Sequence, residues 1–132
     1  MSLVLDSSAL VALLVDSGED GAWAEATVAG HHLCAPELVY VETLNSLRRL
    51  EISRQLTKPE ANAAKADLLR LNLEVFPFEP VADRVWELRP GVTSYDAWYV
   101  AVAEALEYPL VTLDVRLSKS DGPECRFLTP GK

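Results

Sequence analysis

Short runs of branched apolar residues alternate along this chain with longer stretches in which apolar positions recur every three or four residues. Leu3-Val4-Leu5 makes the first run and predicts a buried strand. Ala9 to Leu14 then takes a helical course with Ser7 or Ser8 as its N-cap. A loop of turn residues at 16–21 leads to a second helix from about Ala22 to Ala29, stopped by Gly30. His32 to Ala35 reads as a second strand closed by Pro36, which suits the first turn of a long helix from Glu37 to about Arg54. Thr57 with Glu60 has the spacing of a capping box, predicting a helix that runs to about Asn72. Glu74 to Phe78 reads as a strand at a sheet edge, because Pro77 has no N–H for a ladder. Val81–Leu88 and Ser94–Leu106 are the next helices, the second with Ser94 as its cap. Leu110–Leu113 is a strand, and 126–128 a final short one.

Strands that alternate with helices imply a short parallel sheet covered on both faces. At 132 residues, with no linker and no internal repeat, the chain is expected to form one α/β domain over residues 1–132.

Four acidic residues interrupt this apolar pattern at notable places. Asp6 and Asp114 each follow an apolar strand, Asp96 lies in the first turn of a helix, and Glu42 sits on a helix among Val39, Val41, Leu44 and Leu47. Ligand crevices of open parallel sheets lie beyond the carboxyl ends of the strands, so Asp6 and Asp114 belong at that edge. The positive end of the helix dipole favours an ionised Asp96. Leu38, Glu42, Asn45 and Arg49 repeat at helical spacing, so Glu42 and Asn45 share a face. Taken singly, Asp6 and Asp96 also suit helix caps and Asp114 suits a turn. Together they ask for a common cation, since buried carboxylates are costly unless paired. Mg2+ or Mn2+ is the hard ion that fits such oxygen donors, and it activates water toward a phosphodiester.

Charge narrows the reading further. The net charge is −8, from 12 basic and 20 acidic residues, and residues 1–47 contain no Lys or Arg. The phosphate backbone of a nucleic acid is gripped mainly by basic side chains. Arg48, Arg49, Arg54 and Lys58 form the one local excess of positive charge, and Arg116 lies close to Asp114; these are the candidate nucleic-acid contacts. Cys34 and Cys125 form no motif and read as small buried hydrophobes. His31 and His32 have no ligand partners nearby in sequence and read as residues of the turn that leads into the second strand. The apolar start lacks a basic segment and is broken by Asp6, so it is not read as a signal peptide. No apolar run nears membrane-spanning length, and a cytoplasmic location is expected.

Four segments in order carry a family resemblance: Leu5-Asp6-Ser7-Ser8-Ala9-Leu10, Pro36 through Arg49, Tyr95-Asp96-Ala97-Trp98-Tyr99-Val100-Ala101, and Leu110 through Leu117. Over essentially its whole length the chain resembles a PIN-domain ribonuclease of the VapC type, the toxin of bacterial toxin–antitoxin pairs. The resemblance implies endonucleolytic cleavage of RNA dependent on Mg2+ or Mn2+. It makes Asp6, Glu42, Asp96 and Asp114 the catalytic metal ligands, direct or through water. It also matches Ser7 and Thr112 to hydroxyls supporting the acidic site and Asn45 to a polar residue facing it. A VapB-like antitoxin and a homodimer are implied partners. Many relatives carry a further acid just after the position of Asp114, where this chain has Val115-Arg116; that departure weakens the case for a second bound ion and leaves one or two open.

Two rival readings stand beside this one. A receiver-like phosphoacceptor domain would need paired acids after the first strand and an Asp after the third, and neither is present. A catalytically silent binding module of the same fold would have no need of the complete acidic quartet.

Overall fold

The computed structural model describes residues 1–131. The elements in order are β1 (Ser2–Leu5), α1 (Ser7–Val15), α2 (Glu19–Val28), β2 (His32–Pro36), α3 (Leu38–Ile52), α4 (Lys58–Arg70), β3 (Leu73–Phe76), a 3-10 turn (Glu79–Val81), α5 (Ala82–Glu87), α6 (Ser94–Leu106), β4 (Leu110–Val111), α7 (Val115–Ser118) and β5 (Phe127–Leu128). The strands lie in the order β3-β2-β1-β4-β5, and every pairing is parallel. The chain thus builds outward from β1 to β2 and β3, then returns to lay β4 on the other side of β1. That reversal opens a crevice between the carboxyl ends of β1 and β4.

Packing explains the apolar runs. Leu3, Val4 and Leu5 are each at most 1% exposed, which a strand covered on both faces requires. In α6, Ala97 and residues Tyr99 to Ala103 are all buried. The alanines let this helix lie close to β1 and β2, and its packing there makes it the central helix of the core. Among the described residues no helix is long and apolar enough to cross a membrane. Cys34 and Cys125 are free thiols.

Several local expectations change. The cap of α1 is Asp6, whose side chain accepts from the Ala9 N–H, and Ser7 and Ser8 are already helical. Thr93, not Ser94, caps α6 by accepting from the Asp96 N–H. The capping box of Thr57 and Glu60 forms as expected. β3 is an edge strand that stops at Phe76, one residue before Pro77. β4 ends at Val111 rather than Leu113, because Asp114 caps a further short helix, α7, that the sequence pattern does not announce.

Gly21 holds the α1–α2 junction. A Cβ there would fall 1.8 Å from the carbonyl oxygen of Asp16, a backbone atom that cannot swing aside. Gly21→Ala is therefore expected to cost about 2–3 kcal/mol and lower Tm by roughly 10 °C. An unchanged melting curve would refute this close approach.

Candidate metal centre

Asp6 is the most buried of the four acids, at 6% exposure. Its Oδ1 accepts from the Ser8 hydroxyl at 2.6 Å and the Ala9 N–H at 3.0 Å, while its Oδ2 accepts from the Thr112 hydroxyl. A carboxylate offers about two lone pairs per oxygen. Oδ1 is thus filled by the protein, and Oδ2 keeps one lone pair for a ligand. Ser8 also accepts from the Leu113 N–H at 3.0 Å, and Thr112 from the Asp114 N–H at 2.9 Å. These bonds tie the ends of β1 and β4 together across the crevice. The hydroxyl bonded to Asp6 is that of Ser8; Ser7, also expected as a supporting hydroxyl, lies instead on the Tyr99 side, next to the hydroxyl that bonds Glu42. Asp6 caps the helix, and its Oδ1 reaches N3 and the residue at N2, whereas Ser7 at N1 turns elsewhere, beside the Tyr99 hydroxyl.

Glu42 stands near the start of α3, half-buried, and its Oε1 accepts from the Tyr99 hydroxyl at 2.6 Å. Tyr99 is 1% exposed. Burial and then the bond to Glu42 push its ionisation well above the ordinary phenol value, so it stays a donor. Sequence reasoning missed this role. The one available signal was a polar tip on a helix otherwise apolar all round, and buried Tyr hydroxyls usually find a partner. Asn45, one turn beyond Glu42, is exposed.

Asp114 caps α7, with Oδ1 accepting from the Leu117 N–H at 3.2 Å. Asp96 and Asp114 line one depression of about 260 Å³ together with Thr93 and the exposed Arg116. Asp96 reports the whole cluster electrostatically. Its pKa is pushed up to about 6, first by burial and then by the negative charges of Asp6, Asp114 and Glu42. Asp6 is likewise raised, chiefly by burial, against the lowering effect of its hydrogen bonds. Among the described residues, none of the four joins an ion pair with Lys, Arg or His. The crevice between β1 and β4 therefore gathers negative charge that no ion pair among the described residues offsets, with Arg116 at its rim.

The other predicted contacts lie further out. Arg48, Arg54 and Lys58 are exposed at the junction of α3 and α4. Arg49 lines a depression with Ser46 and Ser53, which shares Val11, Leu50 and Gln55 with a second one that reaches Ser8 and Leu113. The second depression ends at Ser8 and Leu113, which border the acidic crevice through the Ser8–Asp6 bond.

The chain matches the PIN domain family over residues 3–123. It is 37% identical over 123 residues to Ribonuclease VapC9 of Mycobacterium tuberculosis, covering 93% of this chain and 94% of that one. Among solved structures, the sarcin-ricin loop cleaving toxin VapC20 of Mycobacterium tuberculosis superposes with a TM-score of 0.68 at 21% identity, over 95% of this chain and 99% of that one. VapBC2 of Rickettsia felis, bound to a DNA fragment of its promoter, gives a TM-score of 0.69 at 17% identity, with 98% of each chain covered.

Proposed function

This chain belongs to the PIN-domain family, and on that premise we propose that it is a metal-dependent endoribonuclease, the toxin of a VapC-type toxin–antitoxin pair. The observation that carries the reading is the uncompensated charge of the crevice: Asp96 is driven toward protonation by burial and by three neighbouring carboxylates. A site with only hard oxygen donors and no ion-paired carboxylate fits Mg2+ or Mn2+. Asp6 through Oδ2, Asp96, Asp114 and Glu42 would hold the ion. When bound, it supplies Lewis-acid charge and acidifies an attacking water.

The chain's own residues prepare this chemistry. Ser8, Thr112 and the Ala9 N–H hold Asp6 in one orientation, so little reorganisation is needed on loading. Tyr99 does the same for Glu42. Arg116, at the rim beside Asp96 and Asp114, would bind a phosphate of the substrate. Arg49, in a depression with Ser46 and Ser53, would grip the backbone further along.

The reading is tested by incubating the purified, antitoxin-free chain with RNA and Mn2+ or Mg2+, against EDTA. Metal-dependent internal cleavage is expected. No cleavage of any RNA by folded, Mn2+-binding protein would leave the silent-module reading instead. The receiver-like alternative finds no support, since β3 ends at Phe76-Pro77-Phe78 without an acceptor Asp.

A VapB-like antitoxin is the proposed partner, and exposed Val41, Leu44 and Ile52 on α3 with Leu69 on α4 offer apolar area for its covering segment. Self-association into a homodimer is proposed as well, checked by light scattering of the antitoxin-free chain.

Tyr99→Phe probes the support of Glu42. Losing a buried donor to a carboxylate is expected to cost about 1.5–3 kcal/mol of stability and to weaken Mn2+ binding about tenfold. Unaltered Mn2+ affinity by calorimetry would remove Tyr99 as a positioning residue.

A further inference from the structure

Away from the acidic crevice, toward the amino ends of β2 and β3, three side chains with different donor atoms meet. His32 and Cys34 are two residues apart in β2, so both leave the same face of the sheet. Glu74 is the parallel-ladder partner of Cys34, so it leaves that face as well. One ligand atom from each of the three lies within 4.8 Å of the other two. His32 Nε2 and Glu74 Oε1 are 2.8 Å apart.

The surroundings suit an ion that enters from solvent. β3 is an edge strand, and the His32 and Glu74 side chains are 44% and 56% exposed, while Cys34 beneath them is only 1% exposed. The opening is therefore polar and the sulfur is screened at its base. Strand backbone fixes all three positions, and no loop has to close over them.

We propose that His32, Cys34 and Glu74 form a second metal site, selective for Zn2+ and completed by one solvent ligand. Sulfur and imidazole donors disfavour Mg2+ and Mn2+, whereas one S, one N and one O with an open fourth position match tetrahedral Zn2+. Bond lengths of about 2.3 Å to sulfur and about 2.0–2.1 Å to nitrogen and oxygen place tetrahedral ligand atoms about 3.3–3.6 Å apart. Loading the site needs the His32–Glu74 pair to open by roughly half an ångström and both side chains to close on the Cys34 sulfur, from within 4.8 Å to roughly 3.6 Å on that geometry, a rotamer adjustment for two partly exposed side chains. The ion then joins the edge strand to its neighbour and stabilises the fold by binding the native state alone. The site stands independently of RNA cleavage.

Co2+ as a spectroscopic substitute for Zn2+ gives the test, on the full-length, tag-free, reduced chain. A near-ultraviolet thiolate-to-cobalt absorption band is expected to saturate at one equivalent and to vanish on adding Zn2+. The band should persist in Cys125→Ser and in Asp96→Asn, which separates it from the other thiol and from the acidic crevice. His32→Gln and Glu74→Gln, at exposed positions that tolerate substitution, should each weaken Co2+ and Zn2+ binding at least about tenfold, as loss of a metal-site partner does. They should also abolish the Zn2+-induced rise in Tm. Absence of a thiolate band, or a band of equal affinity in both variants, would overturn the proposal.

Discussion

Asp96→Asn is expected to abolish metal-dependent RNA cleavage while raising the thermal stability of the metal-free chain. A catalytic cation supplies several kcal/mol of transition-state charge stabilisation. Disrupting its coordination should therefore lower kcat/KM by at least about 10³-fold. The stability change runs the other way for an electrostatic reason. Asp96 titrates near 3.8 as a free side chain and at about 6 in the folded, metal-free chain. Between those values the native state holds more protons than the unfolded one, so stability falls as pH rises from about 4 to about 6 and then levels off. Asp6, also raised, acts with the same sign. Asparagine removes the Asp96 share of this cost, and Tm at pH 7 should rise by roughly 5 °C. Mn2+ has to displace the same proton, so its affinity for the wild-type chain should weaken below about pH 6. Melting curves at pH 5 and pH 7, with and without Mn2+, measure all of this. A variant that still cleaves RNA, or that melts lower than wild type at pH 7, would contradict the shared carboxylate site.

Thr112→Val should produce the largest loss of stability among changes near the crevice. The side chain is fully buried; its hydroxyl donates to Asp6 Oδ2 and accepts from the Asp114 N–H. Valine keeps the shape and removes both bonds. A carboxylate at 6% exposure then loses the donor to its Oδ2, keeping those of Ser8 and Ala9 to Oδ1, and a backbone N–H loses its acceptor. The expected cost is about 3 kcal/mol, a drop in Tm of roughly 10 °C or more. Cleavage should fall too, because Oδ2 is the oxygen of Asp6 with a lone pair to spare. The lost donor also lifts the Asp6 pKa further, so the acid limb of the cleavage profile should move to higher pH; a merely structural defect would leave that limb in place. Thr112→Ser should restore the profile and most of the stability. Equal stability of Thr112→Val and wild type in urea would show that neither bond matters.

The two outcomes bear on different parts of the site. The first concerns charge brought together, the second the hydroxyl bridge that sets one of those charges in place. Thr112 joins β1 to β4 through side chains at the point where their ladder has just ended, and this is why a short β4 suffices. The helix capped by Asp114 comes directly after it, so one acid serves both as a cap and as a candidate ligand. Asp6 likewise caps its helix through Oδ1 and keeps a lone pair on Oδ2 for a ligand, whereas Asp96 leaves the capping of α6 to Thr93.

Much of this was legible along the chain. Apolar runs, prolines and capping residues place the strands and helices, because those signals act between residues a few positions apart. Leu3-Val4-Leu5 reads as a buried strand from composition alone, and Thr57 with Glu60 specifies its own helix start. The positions of Asp6 and Asp114 after strands point to one sheet edge, since the direction of a parallel strand is known once the strand is. Whether Ser7 or Ser8 reaches Asp6 is finer than such signals resolve, because it turns on a rotation of about 100° per residue around the cap. Only the tertiary structure decided which distant groups meet. Tyr99 reaches Glu42 across 57 residues, Thr112 reaches Asp6 across 106, and Glu74 reaches His32 across 42. Sequence determines periodicity and local hydrogen bonding, while the pairing of remote side chains depends on strand order and register, set by burial of the whole core at once.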